Sequence, residues 1–467
     1  MARRFLPAIP FAIPVAFANL FAQSPGLARN AATPLSDYAL TNVRIVTAPG
    51  KVIERGTIVT RDGRIVAVGA QVNIPADVVR MDLTGHTVFP GLIDAATSIG
   101  LPSPARPLPA AANASAAEGG RGGRGGGRAA GPGVPAAGRG PGAPPPPVVE
   151  PEVDANAEAS DMFAPTSEEL KALRAGGVTA VGLVFTDEGL FPGRVGAALT
   201  GARNDIRFGL RSAVGQEVTF GHKRGGAYPA TGIGAFAFIR QSFLDAQYEA
   251  RLDKAFRAGT PGARPSNDPF SRALMPAAVN EMPAWFVAST ERELSRVFEI
   301  SKEMGFKSPV VVGAQEGWRA VRGLKQSMAT AVVSLAWPSV DSVTGREFSK
   351  IGAGRGAAGT SDADVTAQIK ANAVALAKAG VPVVFASYGG TSGATFRDRI
   401  RSTIEAGMSP DDALRAATVT PAALLGITAA VGTIEVGKLA NLVVVSGNDL
   451  FASGTPIKHV FVEGRLY

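Results

Sequence analysis

Few side chains in this chain could bind a metal ion or act as nucleophiles. Among its 467 residues there is no cysteine, and the three histidines are His86, His222 and His459. The lack of cysteine excludes disulfide bonds, thiolate catalysis and cysteine metal sites. His86 and His459 fall in β-rich segments towards the two ends, so His222 is alone in the long middle. A single imidazole without thiolates cannot build a conventional zinc site.

Three side chains remain as candidates for catalysis. Asp94 ends the apolar run VFPGLID, which is typical of a buried strand leading into a site. It could act catalytically or serve as a structural carboxylate that binds backbone groups. His222 lies in the Gly-rich segment TFGHKRGGAYPA beside two cations, which indicates solvated surface or an anion-binding lip. Tyr388 has no obvious base partner. The sequence shows no histidine and aspartate that could form a catalytic triad with Ser98 or Ser387, so a serine-hydrolase interpretation is weak.

The elements that would position these residues begin and end with strands. From Tyr38 the chain runs YALTNVRIVT, GTIVTRDGRIVAVG and VVRMDLTGHTVF. Asp62-Gly63, between two alternating apolar runs, predicts a β-hairpin. VGTIEVGKLANLVVVSG and IKHVFVEGRLY repeat the strand pattern at the other end. We therefore expect a small β-sandwich whose halves are residues 36–88 and 422–467.

Residues 89–421 alternate short apolar runs with helical segments. GGVTAVGLVF, AWFVAS, SPVVVGA, TAVVSLA and VPVVFAS have strand character, and helices fill the intervals between them. Thr166 with Glu169, and Thr290 with Glu293, fit capping boxes at helix starts. Repeated strand–helix units predict an α/β fold with a parallel sheet, most economically a TIM-like (β/α)8 barrel.

Two insertions interrupt this predicted barrel. Residues 102–150 consist largely of Ala, Pro, Gly and Arg, which cannot bury enough apolar surface to offset the entropy of ordering, so a flexible loop is expected. Residues 187–283 are predicted to be a helical insertion. Most of the net charge of +8 comes from the arginines of the first insertion and of residues 1–30. Since the remainder is close to neutral, nucleic acid is not expected as a partner.

The first residues favour export. Arg3 and Arg4 precede an apolar run, Phe5 to Ala18, which is followed by small residues that suit a cleavage site. We interpret residues 1–22 as a signal peptide, the alternative being a disordered apolar tail. No other stretch reaches the roughly 18 apolar residues of a membrane span. The protein is therefore expected to be periplasmic or secreted, without a membrane span.

Several segments, in the right order, resemble the amidohydrolase superfamily and in particular its imidazolonepropionase-like members. They are TNVRIVTAPGKVIERGTIVTRDGRIVAVG, HTVFPGLIDA and SPDDALRAATVTPAALLGITAAVGTIEVGKLANLVVVSG. The resemblance implies a TIM-like barrel with a composite β-sandwich. It also implies zinc or another divalent metal at the barrel's C-terminal mouth, and hydrolysis of C–N bonds. In that chemistry the metal lowers the pKa of a bound water so that hydroxide forms near neutral pH.

The chain departs from the family's ligand pattern wherever a position can be matched. The ligand positions that the resemblance implies are occupied by Ala96, Ser98, Val287, Gly313 or Ala314, and Tyr388. Ala96 and Ser98 replace a His-x-His pair, and Tyr388 replaces the aspartate of the last strand, where it would fill a vacated metal pocket. Carboxylates alone could hold Mg²⁺ or Ca²⁺, but no Asp/Glu cluster has ligand spacing. We therefore predict no metal and no other cofactor.

Three functions are compatible with these observations. The first is an inactive amidohydrolase homologue that binds a small molecule or supports a partner, such as an active homologue. The second is a hydrolase of cyclic amide or amidine C–N bonds that works by metal-poor chemistry. The third is a structural or interaction protein, which the retained barrel and sandwich motifs disfavour. Whether the chain is an enzyme stays open, although the lost ligands favour inactivity over what the fold alone would suggest.

Overall fold

The computed structural model describes residues 37–102, 154–185, 189–201, 209–221, 229, 231–266, 268–337, 362–388 and 393–467. The strands are β1 (Tyr38–Ala48), β2 (Lys51–Arg61), β3 (Arg64–Gly69), β4 (Val79–Asp82), β5 (His86–Pro90), β6 (Leu92–Thr97), β7 (Val178–Leu183), β8 (Arg194–Leu199), β9 (Gly209–Thr219), β10 (Ala284–Ala288), β11 (Val310–Gly313), β12 (Thr330–Ser334), β13 (Val383–Ala386), β14 (Leu442–Ser446), β15 (Ile457–Val462) and β16 (Arg465–Leu466). The helices are α1 (Ala159–Met162), α2 (Ser167–Ala175), α3 (Gly232–Arg257), α4 (Pro269–Ala278), α5 (Glu291–Met304), α6 (Val321–Gln326), α7 (Asp362–Lys378), α8 (Gly393–Glu405), α9 (Pro410–Ala417) and α10 (Val419–Leu424).

One sheet combines strands from both ends of the described chain. Its order is β16-β15-β14-β5-β1-β2-β3, and β4 pairs with β1. The two halves join where β14 runs antiparallel to β5, with Val444 opposite Val88. The hairpin predicted at Asp62-Gly63 joins β2 to β3, and its two residues have φ values of +48° and +77°, as a type I′ turn requires. The composite β domain expected from the sequence is confirmed.

The second sheet is a nearly closed barrel in the order β13-β12-β11-β10-β9-β8-β7-β6. All its ladders are parallel except those on either side of β8, which is antiparallel to both β7 and β9. Residues 184–193 link β7 to β8, and a parallel crossover needs about a dozen residues or more. The chain therefore returns along β7 instead of crossing over. The TIM-like barrel is confirmed, with this one reversed strand.

The barrel strands bury both faces. On β10, Trp285 faces an apolar cluster inside the barrel, while Phe286 packs outward beneath the helices. β13 alternates in the same way, with Val384 inside and Phe385 outside. Strands that are covered on both faces need continuous apolar runs, which explains sequences such as AWFVAS and VPVVFAS.

The second predicted insertion has a mixed structure. Residues 187–283 contain helices α3 and α4, as expected, but they also contribute strands β8 and β9 to the barrel. Long helices dominate the sequence pattern of this region, whereas the Gly- and Ala-rich β8 lacks the β-branched character of a typical strand. The predicted insertion 102–150 lies almost entirely outside the described residues, and the predicted signal peptide 1–22 lies wholly outside them.

Local signals position the helices as the sequence indicated. Thr166 caps α2 and Thr290 caps α5, each in a reciprocal capping box with the glutamate three residues later. Gly305 ends α5 with a φ of +71°, a conformation that glycine adopts without strain. Within the described ranges, no helix has both the length and the apolar character needed to cross a membrane.

Candidate site at the barrel mouth

The carboxyl ends of the parallel strands β6 and β10 to β13 meet at one end of the barrel, which we call the barrel mouth. In barrels of this kind the chemistry takes place at that end. Ala96, Val287 and Tyr388 are all part of the apolar cluster inside the barrel, together with Val312 and Ala386. The structure therefore brings together three of the positions that sequence analysis matched to metal ligands.

The side chains at these positions offer little to a metal. Ala96 is completely buried, and its N–H donates to Asp94 Oδ1 at 3.3 Å. Ser98 follows β6 and is half-buried. Val287 and Tyr388 are half-buried against the apolar cluster, and the Tyr388 carbonyl accepts the Ser334 hydroxyl. Ala96 and Val287 thus present only methyl groups, whereas Ser98 and Tyr388 present neutral hydroxyls.

The matched position on β11 also has an unusual backbone conformation. Gly313 has a φ of +101° and Ala314 a φ of +40°, so the chain turns sharply there. The turn is held because Ala314 donates its N–H to the Ala288 carbonyl at 2.8 Å and accepts Asn372 Nδ2 at 2.8 Å. A Cβ at Gly313 would lie 2.6 Å from Ser289 Oγ. A side chain at position 313 would therefore require Ser289 to move and would have to adopt a positive φ.

Asp94 links the first barrel strand to the last. It is completely buried, and its Oδ1 accepts the Ser387 N–H at 2.9 Å as well as the Ala96 N–H. In the part of the chain that the structure describes, no ladder joins β6 to β13, so this carboxylate spans the seam of the barrel. Asp94 does bind backbone groups, as the structural interpretation of its sequence position expected.

Burial also alters the chemistry of Asp94. Desolvation raises its pKa from 3.8 to about 7, and the hydroxyl and N–H of Ser387 and the N–H of Ala96 offset only part of that effect. The buried Oδ2 atom has no hydrogen-bond partner among the residues that the structure describes. Near neutral pH this carboxyl is therefore divided between its protonated and ionised forms, and no cation of the described residues pairs with it.

A second buried carboxyl at the barrel was missed in the sequence. Glu217 on β9 is completely buried and is in register with Trp285 of β10. Paired residues of parallel strands share a face, so Glu217 lies on the interior side, where its Oε2 accepts the Phe185 N–H at 2.8 Å. The signal available was the adjacent polar pair Gln216-Glu217 in a run that otherwise suits a strand.

Glu316, in the loop after β11, is a buried carboxyl with a structural role. Its Oε2 accepts the Glu291 N–H at 2.8 Å, at the first residue of α5. Burial raises the pKa of Glu316. Glu293 accepts the N–H groups of Ser289 and Thr290, so side chains of the protein itself satisfy the N-terminus of α5.

Among the described residues, no group of three or more His, Cys, Asp or Glu side chains is placed to hold a metal ion. The donor set at the matched positions consists of methyl groups, a glycine turn and neutral hydroxyls, which does not fit the divalent metal that the superfamily resemblance implies. Asp94 and Glu217 are each held by backbone N–H groups. His222 lies outside the described residues.

Comparison with known proteins agrees with this fold. Residues 328–467 match the model of the amidohydrolase family. An amidohydrolase from Thermotoga maritima has a TM-score of 0.67 at 20% identity, covering 92% of this chain and 99% of its own. A Xaa-Pro dipeptidase with bound methionine has a TM-score of 0.51 at 16% identity, covering 92% of this chain and 100% of its own.

Phenylurea hydrolase B has a TM-score of 0.50 at 15% identity, covering 92% of this chain and 97% of its own. A search of curated proteins gives no match. At these identities the structural likeness establishes the fold alone. The predicted resemblance to the amidohydrolase superfamily is confirmed.

Proposed function

We propose that this chain, built on the amidohydrolase fold, is an exported protein that binds a small molecule at the barrel mouth without hydrolysing it. The observation that carries the proposal is the donor set at the matched ligand positions. Ala96 is buried and apolar, and a Cβ at Gly313 would lie 2.6 Å from Ser289 Oγ at a positive φ. A single substitution could be compensated nearby, but the positions that the resemblance assigns to ligands belong to separate strands, and none of them carries a histidine or a carboxylate.

The chemistry of amide bonds explains why this donor set argues against hydrolysis. Free water has a pKa near 15.7, and a firmly held divalent cation lowers it to about 7, which supplies hydroxide at neutral pH. Among the described residues the mouth has neither neutral imidazoles nor clustered carboxylates, so these residues offer no means of holding such a cation. The same positions suit apolar contacts with a small molecule, because Ala96, Val287 and Tyr388 belong to one apolar cluster and the last of these also carries a hydroxyl.

Metal content is the most direct test. The protein, purified without chelators and also after incubation with Zn²⁺, Mn²⁺ or Co²⁺, is submitted to elemental analysis after desalting. The Thermotoga maritima amidohydrolase, treated in parallel, serves as the reference. We expect far less than one metal per chain and no hydrolysis of Xaa-Pro dipeptides or phenylureas. Retention of roughly one metal per chain with metal-dependent turnover would refute the proposal.

Export is tested separately. The basic start at Arg3 and Arg4 and the apolar run after it support cleavage near residue 22. The full chain, expressed in a bacterial host, is expected in the periplasmic fraction with an N-terminus close to residue 23. Recovery of the uncleaved chain from the cytoplasm would contradict export but would leave the binding proposal intact.

One observation favours a second candidate, a hydrolase that works without metal. The Ser387 hydroxyl is hydrogen-bonded to Asp94, whose pKa of about 7 suits a general base. In this candidate Asp94 would accept the Ser387 proton as the hydroxyl attacks an amide carbonyl, and would pass it to the amine that leaves as the C–N bond breaks. Water, deprotonated by Asp94, would then release the acyl group from Ser387, which takes back the proton. Turnover that survives chelation and disappears in both Ser387→Ala and Asp94→Asn would favour this candidate over the first.

A further inference from the structure

A histidine lies on either side of β14, the strand at which the two halves of the composite β domain meet. His86 of β5 is opposite Ser446 of β14, and His459 of β15 is opposite Val444. Opposite residues of antiparallel strands share a face, as do alternate residues of one strand, so both imidazoles lie on the face that carries Val444. Two strand spacings, about 10 Å, separate their backbones. We call these two residues the histidine pair.

The histidine pair lies at the rim of the apolar core of this domain. Each residue is half-buried, and the next residues on the same face of the two strands, Val88 and Phe461, are completely buried in that core. Nδ1 of His86 is 3.0 Å from the Thr84 carbonyl, which can only accept, so the N–H of a neutral ring donates there. Such a rim suits neutral imidazoles, because apolar surroundings disfavour the charged form.

Nearby charges also disfavour the charged form of His459. Burial lowers its pKa from the usual value of 6.5, and the positive charges of His86 and Lys458 lower it further. No carboxylate of the described residues contributes to this shift. In acid, two like charges therefore flank β14, and the residues opposite them, Ser446 and Val444, are neutral.

The strands around the histidine pair offer no carboxylate. β1, β5, β14, β15 and β16 contain neither aspartate nor glutamate. Arg44 of β1 is in register with Thr87, and Arg465 of β16 is opposite Val462, so both arginines lie on the other face of the sheet. Asp82, in the turn before β5, accepts hydrogen bonds within that turn. Protonated rings therefore lack a counter-charge on these strands.

The C-terminal strands also hold the end of the chain against the barrel. The guanidinium of Arg174 on α2 lies 4.2 Å from the centre of the Tyr467 ring, a cation–π contact. Arg174 Nη1 donates to the Thr200 carbonyl, just after β8, at 2.6 Å. Tyr467 is joined to β15 because its N–H donates to the Val460 carbonyl at 2.9 Å. Opening of β15 would therefore release a contact with the barrel.

We propose that the histidine pair makes the junction of the composite β domain an acid-sensitive switch. When both rings are protonated, their like charges at the rim of the apolar core weaken the pairing of β5, β14 and β15. The C-terminal strands then open, and Tyr467 loses its contact with Arg174. Because folding lowers the pKa of His459, the unfolded segment binds more protons as the pH falls through 6.5, so the free energy of opening falls with the pH.

Hydrogen–deuterium exchange of the full chain, followed by mass spectrometry at pH 7.5 and pH 5.5, measures this opening. After correction for the intrinsic pH dependence of exchange, peptides from residues 442–467 should open up to about fivefold more often at pH 5.5, the size expected for like charges on neighbouring strands. Peptides from residues 310–334, which contain no histidine, serve as the internal reference.

The matched variants replace each histidine by a neutral polar side chain. His459→Gln should remove most of the acid response, and His86→Gln part of it, because burial is the larger of the causes that act on His459. His222→Gln removes the third histidine, which lies in a different segment of the chain, and should retain the full response. Asp94 titrates in the same range but is common to all four proteins.

Corrected exchange of residues 442–467 that does not change with pH, or that rises equally in the wild type and in both variants of the histidine pair, would overturn the inference. So would loss of the response in His222→Gln. Should His459→Gln fail to fold, the response of His86→Gln still decides. None of these outcomes bears on the binding proposal, which is tested by metal content and turnover.

Discussion

Replacing Asp94 with asparagine should change how the stability of the protein depends on pH. The Asp94 carboxyl has a pKa of about 7 in the folded protein, against 3.8 for the model group, and desolvation is the main cause. Between these values the unfolded chain loses its proton first, so the folded state holds more protons. The free energy of unfolding should therefore fall as the pH rises from about 4 to about 7.

The size of this effect follows from the shift. A shift of one pKa unit corresponds to about 1.36 kcal/mol, so raising the pKa from 3.8 to about 7 destabilises the folded state by on the order of 4 kcal/mol above neutral pH. Below about pH 4 both states are protonated and the penalty is absent. Asparagine is neutral throughout, so the advantage of Asp94→Asn over the wild type should grow by up to that amount across the window.

Urea unfolding of the wild type and Asp94→Asn at half-unit steps from pH 4 to pH 8 measures the difference. Other titrating groups are common to both proteins and cancel in the comparison. Asp398→Asn, in which the lost carboxylate is half exposed, controls for the change in net charge. The reasoning would be refuted if the two curves ran parallel, or if the wild type gained stability relative to Asp94→Asn as the pH rose.

Three further substitutions test the turn after β11 and the start of helix α5. Gly313→Ala should destabilise the protein by about 1–3 kcal/mol, because its Cβ would meet Ser289 Oγ at a positive φ; Gly437→Ala, also at positive φ but without a nearby atom, should cost less in the same thermal unfolding assay. Asn372→Ala should cost about 1–3 kcal/mol in urea unfolding, because it leaves the buried Ala314 carbonyl without its side-chain donor; an unchanged midpoint would contradict this. Thr290→Ala removes the cap of α5 and should lower stability by about 1 kcal/mol, whereas Thr290→Ser should be nearly neutral.

The elements themselves follow from local sequence. The hairpin at Asp62-Gly63 and the capping box at Thr290 depend on residues close together in the chain, and the structure contains both. The reversed strand β8 could not be recognised in this way. Its direction depends on the short connection from β7 and on the space that remains between β7 and β9.

The candidate site, too, has features that the sequence predicts and features that depend on the tertiary structure. Residue types and motif order alone predict that Ala96 and Tyr388 stand at positions that the resemblance assigns to metal ligands, because a motif is read along the chain. Only the tertiary structure decided that Asp94 meets Ser387, 293 residues away, and that Glu217 lies inside the barrel. The physical reason is closure of the barrel: it sets the last strand beside the first, buries a carboxylate between them, and so creates an acceptor and a raised pKa that no local pattern contains.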